Sequence, residues 1–316
     1  MSTQSTSTQT NAVPGSSARS PIVAPAIIPA TRQIYWALRR EFWENRFIYL
    51  GPLGVAALFL FGFLIHSVIH SGGGVRGLSA LAPDKQHEAI IEPYDMAAGL
   101  LMGAFILVAV FYCIETLQRE RRDRSILFWK SLPVSDLTTV LTKASIPFVV
   151  LPLIACAIAF VTQFLMLLVS SVALAGSGLS VATYWDQVSL FQGFLLLLYH
   201  VMTVHVLWSA PIYGWLLLVS AWARRAALLW ALLPPLAIGA LEKLLFNTSH
   251  FAAFVERFLS GSGTEAHTMP GTLPMDPGTH ITPLRFLSTP GLWLGLAVTA
   301  AFLAAAVRLR RYRGPN

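Results

Sequence analysis

The chain has 316 residues, 55% of them hydrophobic and only 12% charged, with a mean hydropathy of +0.63. A soluble domain of this length carries about twice that charged fraction. Runs of twenty or more nearly uncharged residues recur, so the composition excludes a soluble protein and points to an integral membrane protein. The net charge of +7 lies in short basic clusters beside the apolar runs. That placement suits phospholipid headgroups and membrane orientation and does not point to nucleic acid.

Residues 1 to 30 are rich in Ser, Thr, Gln, Ala and Pro and carry one charge, Arg19. With no continuous apolar core of signal-peptide type, they read as a disordered cytoplasmic tail. Residues 31 to 47, TRQIYWALRREFWENRF, place Ile34, Tyr35, Leu38 and Phe42 at helical spacing, with charges over much of the remaining surface. This pattern predicts an amphipathic helix along the inner headgroup layer before the chain turns in at Gly51-Pro52, in contact with membrane lipids. The other reading is the start of a long first helix.

Six apolar segments follow, at about 48–70, 96–115, 145–172, 190–221, 226–246 and 290–307. At 1.5 Å rise per residue each can cross a hydrocarbon core of roughly 30 Å. The fourth is too long to stand upright and is expected to tilt, protrude or bend at Pro211; Pro152 and Pro234-Pro235 are expected to bend the third and fifth. The runs are uniformly apolar without period-two alternation, so they are helices and not barrel strands. The fold class is therefore all-α, with six transmembrane helices and an N-terminal interfacial helix. With the N-terminus inside, 17 of the 22 Lys and Arg residues fall on the inner side. Both termini, including the tail at 312–316, are then expected in the cytoplasm.

Between the first two spans, residues 71 to 95 begin SGGGVRG and read as an outer loop whose Asp84, Glu88, Glu92 and Asp95 form a solvated rim. Gly99 and Gly103 make a small-xxx-small pair in the second span, compatible with close helix contact. Past Ile114 that span continues into ETLQRERRDRSILFWK, which lacks Pro and Gly and is rich in helix formers. Glu120 and Arg124 sit four apart, as exposed helical pairs do. A charged helical stalk is expected, ending in an apolar patch at Ile126 to Trp129. Ser131-Leu132-Pro133 breaks the helix, and Ser135 or Asp136 caps the next. This element reads either as a positive-inside loop with aromatics at the lipid interface or as a docking site for another protein.

Other candidates are weaker. His66 and His70 are one turn apart, a spacing that can hold a metal, but no third ligand is evident. His200 and His205 lie five apart in the fourth span, which in an α-helix keeps them off one face; packing is their expected role. Cys113 and Cys156 read as small buried hydrophobes. Glu242 and Lys243 can pair or snorkel at the outer end of the fifth span. HFAAFVERFL, 250 to 259, suits a short interfacial helix, and the rest of the 247–289 outer loop is too polar and broken to form a core.

The run LQRERRDRSILFWKSLPVSDLTTVLTK resembles the signature of type 2 ATP-binding-cassette (ABC) transporter permeases. There a Glu-Arg-basic-Asp-Arg-Ser segment, an aromatic, Ser-Leu-Pro and a Lys before the third span mark the first cytoplasmic loop. LRREFWENRFIYLGPL is similar to the start of such permeases, and the layout agrees over roughly residues 31 to 311. The resemblance implies half of an exporter in a bacterial inner membrane, paired as a homodimer or heterodimer with a second permease. It implies an ABC-type ATPase subunit that holds ATP and Mg, in keeping with the absence of a G-x-x-x-x-G-K-[ST] phosphate loop from the sequence. On this reading the chain has no cofactor or catalytic residue of its own. The coupling residues implied are Arg119, Glu120, Arg121, Arg122, Asp123, Arg124, Phe128, Trp129, Ser131, Leu132 and Pro133, with Arg224 and Arg225 and the helix at 31–47 nearby. The long 247–289 loop departs from the family pattern. A membrane-embedded enzyme acting on lipid-linked substrates and a secondary carrier are the rival functions. The first would need a cluster of acids, bases or ligands on one membrane face. The second usually shows an internal repeat, and none is convincing here.

Overall fold

The computed structural model describes residues 30–70, 82–122, 135–175, 185, 188, 190–260 and 283–312. The expectations for the N-terminal tail, the SGGGVRG exit, the Gly- and Pro-rich part of the last outer loop and the extreme C-terminus lie outside these residues. The described chain is helical throughout, with no strand among its residues, and six of its helices are long and apolar enough to cross a membrane. It is a multi-pass membrane protein.

Helix α1 (Ala30–Glu44) leads into α2 (Phe47–His70). Helix α3 (Pro83–Arg122) has 40 residues and is therefore about 60 Å long, twice the hydrocarbon thickness. It begins well before the apolar run: residues 83 to 95, expected in the outer loop, are helical. Tyr94 and Asp95 are buried there, and Tyr94 packs with Ile90, Met166 and Leu167. Asp95 thus belongs to the packed bundle and not to a solvated rim.

The third span starts at Asp136–Ser145, passes through a π-helical stretch at Ile146–Val150 and continues as Leu151–Ala175 (together α4). Ser135 caps it, its Oγ accepting from the Thr138 N–H at 3.0 Å. Pro147 and Pro152 lie in and just beyond the π stretch. Neither has an N–H to donate, so the ladder re-registers and the Leu151 N–H reaches Ile146 O, five residues back.

The fourth apolar run forms two helices. Helix α5 (Leu190–Trp208) is π-helical over Val201–Trp208, and α6 spans Ala210–Trp222. The break falls at Ser209, with Pro211 in the first turn of α6, where its missing N–H leaves no donor unpaired. Helix α7 (Ala227–Phe246) buries only Ala227 and Ala231. Pro235 offers no N–H to the Ala231 carbonyl four residues back, and Trp215 Nε1 of α6 donates to it at 3.0 Å. Short helices α8 (His250–Ser260) and α9 (Pro283–Leu287) precede α10 (Pro290–Tyr312).

The core sits where α3, α4, α6 and α10 meet. Tyr112, Cys113, Ile146, Leu151 and Leu217 are almost fully buried, joined by Ile48 of α2. Both cysteines are free and buried. Helices α6 and α10 are in close contact at Gly214, where a Cβ would lie 3.2 Å from Thr299 Cγ2 and 3.3 Å from its Cα. Gly99 and Gly103 make no such contact, since an added Cβ at either would meet nothing within 4 Å.

Candidate functional site

The most distinctive chemistry among the described residues is a cluster of buried charges at the basic end of the bundle. Glu41 (α1), Glu120 (α3), Lys143 (α4) and Arg310 (α10) are each at most 6% exposed. Each helix delivers its charge from an otherwise packed face. Glu41 follows Leu38 by one turn, and Leu38 and Phe42 pack on the core. The apolar positions along α1 are thereby divided: Ile34, Tyr35, Trp36 and Trp43 are exposed, while Leu38 and Phe42 turn inward with Glu41.

The Lys143 ammonium has three N–H donors, and each finds an acceptor. They are Glu41 Oε1 at 2.6 Å, Thr116 Oγ1 at 2.9 Å and Glu120 Oε1 at 3.2 Å. The other Glu41 oxygen accepts from Tyr112 OH and Asn45 Nδ2, both at 3.0 Å. Arg310 donates from one terminal nitrogen to Glu120 Oε2 and from Nε to Asp136 Oδ1 at 3.1 Å. Carboxylates taken out of water on this scale are tolerated only when paired and hydrogen-bonded. Here every one of them is.

Four consecutive residues of α3 tie its end to four other places in the chain. Gln118 Nε2 lies 3.5 Å from the Arg224 carbonyl. Arg119 donates to Asn45 Oδ1 at 3.1 Å and to Glu115 Oε2 at 2.9 Å. Glu120 meets Lys143 and Arg310. Arg121 donates to the carbonyls of Ser220 at 2.6 Å and Ala223 at 2.8 Å, a cation on the carbonyl end of α6. Just above, the fully buried Ser220 hydroxyl accepts from the N–H groups of Leu117 (3.0 Å) and Gln118 (3.1 Å). A side chain set into a helix's own hydrogen-bond ladder marks a place where that helix can bend.

The expected stalk is therefore helical as far as Arg122, but it is clamped and not solvated. Glu120 points into the ion cluster; the exposed pair on α3 is Glu115 with Arg119. Arg122, Arg224 and Arg225 are exposed. Asp123, Arg124, Phe128, Trp129, Ser131, Leu132 and Pro133 lie outside the described residues. Sequence reasoning did not single out Glu41, Lys143, Asp136, Arg310 or Ser220 as site residues. One signal was available, because Glu41 lies on the helical row Ile34, Leu38, Glu41, Asn45.

Elsewhere the histidine expectation needs correction. His200 and His205 have ring centroids 5.5 Å apart. They share a face because a π-helix closes its hydrogen bonds over five residues. Glu242 does not pair with Lys243. It accepts from Thr248 Oγ1 at 2.9 Å and from the N–H groups of His250 (2.7 Å) and Phe251 (2.8 Å), so it caps α8. No three His, Cys, Asp or Glu side chains gather as a metal site among the described residues. Comparison of the chain with protein-family models, curated proteins and solved structures finds no match to any of them.

Proposed function

We propose that the chain is the membrane-spanning permease subunit of an ABC-type exporter in a bacterial inner membrane. In this reading two such subunits, alike or different, form the translocation path. A separate ATPase subunit holding ATP and Mg docks on the cytoplasmic side, at the segment between α3 and α4 and beside Arg224 and Arg225.

The observation that carries the proposal is the construction around that segment. Its two stems, the end of α3 and the start of α4, meet α1 and α10 in one buried ion cluster, and α3 is hydrogen-bonded to α6 beside it. A docked partner that moves the segment would thus move several helices together. A membrane-embedded enzyme would need an open set of acids and bases, and here the buried ones at this end are occupied with one another.

The test is copurification of an ATPase subunit with the full chain from its native membrane, combined with Phe128→Ala/Trp129→Ala. The double variant is expected to insert normally and to lose at least tenfold in ATPase association. If no ATPase copurifies with the unaltered chain even after crosslinking, the proposal fails. Unchanged association in the double variant removes Phe128 and Trp129 from the docking role.

A further inference from the structure

Arg310 is bound on both sides by residues that flank one segment. Glu120 lies three residues before residues 123 to 134, and Asp136 lies two residues after them. These partners are 190 and 174 positions away from Arg310 in sequence. We propose that Arg310 is a staple: it fixes the separation of the two stems, so that α10 sets the position from which the 123–134 segment is presented.

Three observations support this. The first is register. One turn deeper in the bundle, Leu117, Val140 and Ala306 form a small apolar cluster with Ala221. Leu117 precedes Glu120 by three, Val140 follows Asp136 by four, and Ala306 precedes Arg310 by four. The same three helices therefore meet twice on one face, first through an apolar contact and then through an ionic one. The apolar contact sets how far α10 slides, and the guanidinium reads out that position.

The second is donor chemistry. A guanidinium holds its donors in a rigid planar fork, so binding Glu120 and Asp136 together defines their spacing. Lys143 cannot do this. It belongs to α4 itself and ties α3 to α1 and α4 at a deeper level, through Glu41 and Glu120.

The third is the Ser220 hydroxyl set against Leu117 and Gln118. It lies just before Glu120 and gives α3 a place to pivot, so the staple constrains a stem that has somewhere to move.

The staple stands on geometry alone; its consequence for coupling rests on the function proposed above. The experiment measures stem spacing by pulsed dipolar spectroscopy in the full chain in lipid nanodiscs. Spin labels go on Arg122→Cys and Leu137→Cys, both exposed, with Cys113 and Cys156 replaced by Ala. A second pair, Leu100→Cys and Phe160→Cys, reports on the bundle away from the staple.

Arg310→Met is expected to broaden the stem distribution at least twofold and leave the second pair unchanged; Arg310→Lys, with one ammonium, should restore part of the width. Asp136→Ala cuts one arm and leaves Arg310 with Glu120, so it carries the test should Arg310→Met fail to fold. An undisturbed stem distribution in either folded variant overturns the staple, as does equal broadening of both label pairs. In parallel, ATPase association with Asp136→Ala is expected to fall at least fivefold. Stems that broaden with association intact overturn the consequence for coupling. Failure of the unaltered chain to bind any ATPase sinks the functional reading and leaves the distance measurement to decide the staple.

Discussion

Two carboxylates, one at each end of the bundle, show two ways of using a charge in this protein. Glu120, at the basic end, is removed from water and held by Lys143 of α4 and Arg310 of α10. Glu242, at the opposite end of α7, turns to the backbone N–H groups of His250 and Phe251 a few residues on. The first joins helices that are far apart in sequence, and the second shapes a turn between neighbours. A long-range ionic contact specifies how separate helices are placed, but replacing a buried pair by apolar groups is often neutral or stabilising. The value of the Glu120 cluster therefore lies in positioning, and its cost appears only when one partner is removed.

That asymmetry gives the largest expected effect. Lys143→Met removes the one cation shared by Glu41 and Glu120 and leaves Glu41 with only neutral donors. The expected loss is about 3–5 kcal/mol of stability, seen as a lower unfolding midpoint in detergent. Pairing it with Glu41→Gln should recover a substantial part, because the stranded charge is then gone. If Lys143→Met alone is as stable as the parent, the cluster does not hold the buried charges in the way its geometry indicates.

The same contrast explains what could be read before the fold was seen. Apolar runs are local, so the six spans were legible, as was the helical continuation past Ile114. Pairings across 102 or 190 residues leave no local trace. Arg310 registered only as an inner-side charge and Lys143 as that and as a position in the resembling signature, and Glu120 was matched to Arg124 because i,i+4 is the pairing a helix offers on its own. The first turns of α3 were missed because Asp84, Glu88, Glu92 and Asp95 look like a solvent-facing rim; burial of Tyr94 against Met166 and Leu167 depends on a helix more than sixty residues later. The edge-to-face contact of His200 and His205 was hidden for a different reason: five-residue spacing brings side chains together only once the ladder has shifted to π geometry.

Between the two ends lies a contact that uses no charge, and it supplies a scale for both. Gly214 of α6 faces Thr299 of α10 so closely that a Cβ would meet both the side chain and the backbone. Gly214→Ala is expected to destabilise by roughly 1–3 kcal/mol through overpacking, less than Lys143→Met. Gly99→Ala, facing open space within the protomer, is the matched control and should leave the unfolding midpoint in place. A Gly214→Ala protein as stable as the parent would mean that α6 and α10 can separate without penalty. The register that lets Arg310 reach its partners would then need another source.

The smallest effect belongs to Glu242. Its carboxylate satisfies two N–H groups at the start of α8 and the Thr248 hydroxyl, all within nine residues, so its removal affects a local element. Glu242→Ala is expected to speed amide exchange at His250 and Phe251 while the global unfolding midpoint and exchange in α3 stay unchanged, since α8 opens as its own low-stability unit. The discriminating measurement is exchange by mass spectrometry on the same sample for both ends of α7. Should Glu242→Ala also expose the amides of Leu117 and Gln118, the two ends would be mechanically joined through α7 and α6. The Trp215 Nε1 bond to the Ala231 carbonyl would then be the place to cut, because it is a polar contact that ties α7 to α6.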